Sequence, residues 1–372
     1  MVTSPVPAHA SAHASAQAPA ISHRFDAQAL TALITALFSA AGLNAERATS
    51  MAKLLVLTDM MGRYTHGLSQ CKNYLDQLAK GDMAACGEVT VVNDTGSTIV
   101  WDGGYLPGLW LVESALKLGF ERLPKHGVVT FSIRRSAHIG CLAALLKQAT
   151  DRGYYAMLLS SGPHGKYVAP QGGTEALFSP NPIGIGFPAT KFPVLIDISA
   201  SITTVSMTRE KVEADLLFDH PWLLDANGQP TREPRALEKT QPRGSLMLLG
   251  GTEAGHKGFG LALMVEALTQ GLSGFGRRDR PTKWGASVYL QLIDPDAFAG
   301  REAFVDQMDF LIDACHDNKP IDANIPVRLP GEQADRNIHY ASAHGVPVSA
   351  TTLQTLRQSA RTLGVDDSFL IT

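Results

Sequence analysis

The 372-residue sequence lacks the glycine fingerprints of the usual nucleotide folds. GxGxxG is absent from its recognisable strand-to-helix junctions, which argues against an ordinary dinucleotide fold with the pyrophosphate on helix-terminal amides. The nearest look-alike, Gly271, Gly274 and Gly276, reads better as a helix end. Without GxxxxGK[ST] or GxSxG, the common nucleotide triphosphatase and serine hydrolase readings lose their support. Only four cysteines occur, Cys71, Cys86, Cys141 and Cys315, with no CxxC pair and no Cys/His cluster. That excludes a disulfide framework or zinc ribbon and fits a reducing cytoplasm. Charge is sparse as well: 18% of residues are charged and the formal net charge is −3. Such a balance offers no field to hold a polyanion, so neither nucleic acid nor an acidic membrane surface is an expected partner. No apolar run reaches the ~18 residues of a membrane span. Residues 1–24, rich in Ala, Ser, His and Pro, read as a disordered tail and not as a secretory signal.

What is present is an apolar, globular composition, 45% hydrophobic. From Asp26 the spacing of Leu30, Leu33, Ile34, Leu37 and Phe38 predicts a helix capped by Asp26 and closed by Gly42. A second helix is expected from Asn44 to Asp59, ended by Gly62, and a third from Leu68 to Leu78. Val89–Val92 and Thr98–Trp101 around a polar turn read as a hairpin, and Gly108–Leu123 as a helix. The pattern then becomes α/β. Strands are expected at Val128–Ile133 and Tyr154–Leu159 around a helix at Ile139–Thr150, a βαβ-sized unit, with further strands at Ile183–Phe187, Val194–Ile198 and Val288–Ile293. Helices are expected from the Gly250 region through Leu272, at Arg301–His316 and at Thr352–Leu363.

Three side chains stand out chemically. His66, between Thr65 and Gly67 just past an apolar helix, suits a general acid or base, or a capping or core histidine. His138, at a strand-to-helix junction, suits a neutral hydrogen-bond donor, an anion contact or a simple cap. Asp197 ends the apolar run from Phe192; it is either a strand-end cap or the carboxylate that orients a histidine.

Read together, Asp59–Gly67 (DMMGRYTHG), Ser136–Gly140 (SAHIG), Ala169–Gly173 (APQGG), Ser179–Gly184 (SPNPIG), Val194–Ser199 (VLIDIS), Gly255–Leu263 (GHKGFGLAL) and Arg328–Glu332 (RLPGE) resemble the type-2 malate/L-lactate dehydrogenase family. Each motif is weak alone, but seven in order are specific, and they run from about residue 25 to the C-terminus. The family includes malate, lactate, ureidoglycolate, sulfolactate and diketogulonate dehydrogenases and a reductase of the cyclic imine piperideine-2-carboxylate.

The resemblance implies an α/β protein with a non-Rossmann nicotinamide-binding fold. A helical, dimerising part is expected from residues 25–126 with about 296–372, and a mixed-sheet part binding cofactor and substrate from residues 127–295. It implies NAD or NADP as cofactor, a small 2-hydroxy acid or 2-ketoacid as substrate, no metal, and a homodimer. His66 matches the proton donor or acceptor, Asp197 its supporting carboxylate, and Thr65 the family serine. His138 matches a histidine beside substrate and nicotinamide. Ser160, Ser161, Phe187, Pro188, Ala189, His256, Lys257, Gly331 and Glu332 match cofactor contacts, and Tyr74 lies on the substrate side. One departure stands out: Gln70 occupies the place of an arginine that can pair with a substrate carboxylate, leaving Arg63 or Lys257 as replacement cations. A cyclic-imine reductase and a catalytically silent cofactor-binding homologue remain the alternatives.

Overall fold

The computed structural model describes residues 21–238 and 243–370. Residues 1–20 of the expected tail lie outside the described residues, whereas its last four belong to strand β1 (Ile21–Phe25). Helices α1 (Ala27–Ala40) and α2 (Ala45–Met60) follow. Asp26 and Asn44 cap them, each side chain accepting from the backbone N–H three residues on, at 2.8 and 2.9 Å. These bonds satisfy amides that the helix itself leaves orphaned. Two short 3₁₀ turns, Tyr64–His66 and Leu68–Gln70, lead into α3 (Cys71–Lys80), so the third helix starts three residues later than its apolar pattern implied.

The hairpin β2 (Thr90–Asp94) and β3 (Thr98–Asp102), helix α4 (Gly108–His126), strand β4 (Val128–Ser136), helix α5 (Leu142–Thr150) and strand β5 (Tyr155–Ser161) come next. Then come β6 (Pro182–Phe187), β7 (Val194–Ser199), α6 (Val205–Glu213) and three two-residue strands, β8 (Leu223–Leu224), β9 (Pro230–Thr231) and β10 (Ser245–Leu246), which form a small sheet. Helix α7 (Gly251–Glu266) runs into a π-helical turn, Ala267–Gly271. Strand β11 (Ala286–Ile293), helices α8 (Arg301–His316) and α9 (Glu332–His344), strand β12 (Val346–Ser349) and helix α10 (Ala350–Leu363) complete the described chain.

The main sheet has the order β2-β3-β4-β11-β5-β6-β7. β3 and β4 are parallel and every other neighbouring pair is antiparallel. β4 and β5 therefore run the same way, joined by α5 as a crossover, but β11 from far down the chain is inserted between them. This mixed order is not that of an ordinary dinucleotide-binding sheet. Helix α5 lies directly on β6: a Cβ at Gly184 would come within 2.8 Å of Leu146, and one at Gly186 within 2.9 Å of Thr150. The two glycines are what let helix and strand approach.

One continuous core runs from Phe25 and the buried faces of α1 and α2 through Phe131, Leu145, Leu158 and Val288 to Leu356 and Leu370. It joins the terminal helices to the central sheet. A second cluster, including Val168, Phe178, Phe218, Leu223 and Leu248, fills the space between the small sheet and α7. Among the described residues no helix is long and apolar enough to cross a membrane, and no group of three His, Cys, Asp or Glu side chains is placed to hold a metal ion.

Candidate active site

The first piece of the site is the loop carrying His66. It leaves the C-terminal end of α2 at Gly62 and returns over Asp59, the one carboxylate in the apolar half of that helix. Asp59 is 4% exposed and its Oδ2 accepts from Leu68 N–H at 3.2 Å. Burial pushes its carboxyl well above the ordinary value, against the smaller opposing pull of the Leu68 N–H. Gly67 packs on the same carboxyl so closely that a Cβ there would lie 2.7 Å from Asp59 Cγ. Gln70 closes the loop from the other end: its Nε2 donates to Thr65 O at 2.7 Å and its Oε1 accepts from Asn73 at 3.2 Å. The amide in the arginine's place thus serves the loop itself.

The imidazole held by this loop has its Nδ1 2.8 Å from the Thr65 hydroxyl. Burial lowers its pKa, the Asp197 carboxylate raises it, and the Arg63 guanidinium lowers it again, with a net value below ordinary histidine. Arg63 is exposed, and its guanidinium enters no hydrogen bond or ion pair among the described residues. Asp197 sits on β7, and its Oδ2 accepts from Ala143 N–H at 3.1 Å and from the Cys141 thiol at 3.5 Å. It therefore caps the N-terminus of α5 from within β7, where the sequence suggested a strand-end cap, and acts on His66 through its charge without a hydrogen bond to the imidazole. Burial, reinforced by Asp197, pushes the Cys141 thiol up to about 12, which keeps it protonated and unreactive at neutral pH.

The second imidazole, His138, follows β4 and faces the first, with ring centroids 5.9 Å apart. Its Nδ1 lies 2.6 Å from the hydroxyl of Tyr74, which is 1% exposed, and its ring is 5.6 Å from that of Trp284. Burial and the neighbouring His66 push its pKa down to about 3. Both imidazoles are partly exposed, and neither Nε2 has a hydrogen-bond partner among the described residues. The result is a cluster of two partly exposed imidazoles, with the unpaired Arg63 guanidinium acting on one and an indole beside the other. Tyr74, expected on the substrate side, instead spends its only polar atom on His138. Asp59 was legible as a carboxylate in an apolar run; Trp284 and Cys141 carried no local signal.

The residues matched to a cofactor form separate groups. Ser160 and Ser161 end β5 in buried positions, and the Ser161 hydroxyl is engaged by Thr269 at 2.7 Å and Gln270 at 2.9 Å. Phe187 stacks on Tyr155 at 6.5 Å and meets Phe304 edge-on, with Pro188 and Ala189 following it out of β6. Gly331 is pressed against the start of β7, where Leu195 N–H donates to Pro330 O at 3.1 Å. Glu332 is already satisfied: its Oε2 meets His316 and Leu329 N–H at 3.1 and 3.2 Å, and Oε1 meets Arg336. Its side chain is therefore a fastening of the loop before α9. His256 and Lys257 stand exposed on α7 without hydrogen bonds or ion pairs among the described residues.

Residues 25–357 match the family model described as malate/L-lactate dehydrogenase. The chain is 28% identical over 361 residues to hydroxycarboxylate dehydrogenase B of Escherichia coli K12, covering 94% of this chain and 96% of that enzyme. It is also similar to the structure of a dehydrogenase from Sinorhizobium meliloti, with a TM-score of 0.78, 26% identity, and coverage of 91% and 98% of the two chains. Malate dehydrogenase from Entamoeba histolytica shares the fold at a TM-score of 0.87 and 20% identity, over 93% and 99%. With the family model matching residues 25–357 and the motif residues His66, His138 and Asp197 brought together by the fold, the chain belongs to the malate/L-lactate dehydrogenase family.

Proposed function

We propose that this protein is an NAD(P)-dependent oxidoreductase of small 2-hydroxy acids and 2-ketoacids, with His66 as the proton carrier. The observation that carries the reading is the pair of imidazoles with ring centroids 5.9 Å apart, each pinned at Nδ1 and unpartnered at Nε2 among the described residues. A proton carrier for carbonyl reduction needs a group that changes charge near neutral pH and holds its proton at a defined atom. In this reading His66 is that group, an imidazole whose Nδ1 is held by the Thr65 hydroxyl through either state of the ring. In the reductive direction it gives the Nε2 proton to the substrate oxygen, and in oxidation it takes that proton back. Burial lowers the His66 pKa most, Asp197 steadies the cationic form against it, and Arg63 adds to the lowering.

Arg63 also supplies the substrate-carboxylate contact in this reading. It is exposed, unpaired among the described residues and close enough to act on His66, whereas the Gln70 amide is committed to Thr65 O. The cofactor part is supported by the donor set. The unpaired side chains of His256 and Lys257 suit phosphate groups, the aromatic and apolar stretch Phe187–Ala189 suits a planar ring, and in this reading the backbone at Gly331 and the buried Ser160 belong to the same binding wall. When bound there, the nicotinamide would supply or accept the hydride. The protein would work in the cytoplasm and as a homodimer. A screen of 2-ketoacids and cyclic imines with NADH and NADPH tests the assignment. Oxidation of either cofactor with a 2-ketoacid is the expected result. Turnover of cyclic imines alone, or cofactor binding without turnover of any compound, overturns it.

A further inference from the structure

We propose that Tyr74 is a positioning residue that holds His138 as the neutral tautomer protonated on Nε2, making His138 a fixed hydrogen-bond donor to a substrate oxygen while His66 alone carries the reacting proton. The assignment of His66 rests on the functional reading above; the tautomer does not.

The proton on the Tyr74 hydroxyl decides the question. Tyr74 is 1% exposed, and His138 Nδ1, 2.6 Å away, is the one partner of its hydroxyl among the described residues. A buried phenol left without an acceptor forfeits a hydrogen bond that water would otherwise supply. Burial also keeps the phenol protonated, raising its pKa. The O–H therefore points at Nδ1. A nitrogen that accepts cannot carry its own proton, so in the neutral ring the proton resides on Nε2. Nε2 is the atom of His138 left without a partner, on the partly exposed side of the ring.

Thr65 and His66 form the contrasting pair. An alkyl hydroxyl donates and accepts with comparable ease, and Thr65 is only partly buried. It can donate to Nδ1 of the neutral ring and accept from Nδ1–H of the cation, following His66 through its proton cycle. A phenol is a better donor than acceptor and favours one state. Position reinforces the difference: a second cation 5.9 Å from a protonated His66 is disfavoured, and burial together with His66 depresses the His138 pKa. The neutral Nε2–H is then available to a carbonyl or carboxylate oxygen throughout the neutral range, in the way a neutral imidazole serves as an electrophile in other active sites. His66, at the end of the first 3₁₀ turn, and Tyr74, in α3, lie eight residues apart, so one short stretch of chain sets both rings.

The test is long-range proton–nitrogen NMR of the full-length protein labelled with ¹⁵N-histidine, with the His138 signals assigned by His138→Gln. A protonated Nε2 and a bare Nδ1, unchanged from about pH 5 to 9, are expected. Tyr74→Phe keeps the ring and deletes the hydroxyl. It should let both tautomers appear, lower kcat by about tenfold and leave the pH midpoint of kcat, which belongs to His66, in place. Thermal denaturation confirms that this variant is folded, and Tyr74→Met serves as a second variant if it is not. A proton on Nδ1 in the wild type, a His138 cation within that pH range, or unchanged kinetics in a folded Tyr74→Phe each overturns the proposal. The spectra need neither substrate nor cofactor. A protein that shows the expected tautomer but turns over no 2-ketoacid would refute the functional reading and leave the tautomer assignment standing.

Discussion

Substituting Gly67 by alanine should damage both stability and catalysis, for a reason that lies in space and not in backbone preference. Gly67 has φ −97°, outside the left-handed region. The obstacle is Asp59: the new methyl would sit 2.7 Å from its Cγ and 3.2 Å from its backbone nitrogen, inside the last turn of α2. Asp59 is 4% exposed and its Oδ2 is tied to Leu68 N–H, so the carboxyl has no open space to turn into. Overpacking of this kind costs about 1–3 kcal/mol. Unfolding entropy of about 2.1 cal/mol/K per residue over roughly 350 residues converts a loss of 2 kcal/mol into a Tm lower by about 3 °C. The loop will relieve part of the clash by moving away from α2, and His66 is the adjacent residue. A displacement on the order of 1 Å at a catalytic group costs about a hundredfold in rate. Differential scanning fluorimetry and steady-state turnover of a 2-hydroxy acid measure the two effects. Adding Asp59→Ala removes the atom that is struck, so the double mutant should show a favourable coupling of about 1 kcal/mol or more relative to the sum of the singles. A Gly67→Ala protein with Tm within 1 °C and kcat within twofold of wild type would refute the packing account.

Opposite pH shifts are expected at the two charges acting on His66. Reduction needs the imidazolium, so its rate is present below the His66 pKa and lost as pH rises through it. Asp197→Asn removes the charge that raises that pKa and should move the midpoint of reductive kcat down, while the amide oxygen still caps Ala143. Arg63→Ala removes a charge that lowers it, so the midpoint should move up and KM for the carboxylate substrate should rise; shifts of the same sign in pH–rate profiles would reject this arrangement. Gly331→Ala places a Cβ 2.5 Å from Pro193 O at φ +97°. It should lower Tm and raise KM for the nicotinamide cofactor more than it lowers kcat, and unchanged cofactor KM would remove this loop from the binding wall. Gln70→Ala frees the Thr65 carbonyl and should lower kcat severalfold, whereas an effect confined to KM would return position 70 to the substrate side.

Local chemistry by itself determined the caps at Asp26 and Asn44, the apolar faces of α1, α2 and α4, the β2–β3 hairpin and the strands of the central sheet, because caps, periodicity and turn residues act within a few positions. The ordered motifs around His66, His138 and Asp197 were legible for the same reason, and with them the family. Helices α6 and α9 escaped that reading. α9 buries only Ala334 and Ala341 among polar neighbours, so its stripe is too small and too weakly apolar to stand out. Tertiary structure alone decided the pairing of β1 with β12 across almost the whole chain and the insertion of β11 between β4 and β5. It also decided what each polar group at the site does: Gln70 turned inward to Thr65, Glu332 was consumed by His316 and Arg336, and Tyr74 met a histidine 64 residues away. A side chain's type sets which bonds it can make, but for pairs such as Tyr74–His138 the partner is set by packing between segments distant in the sequence, which no local pattern encodes.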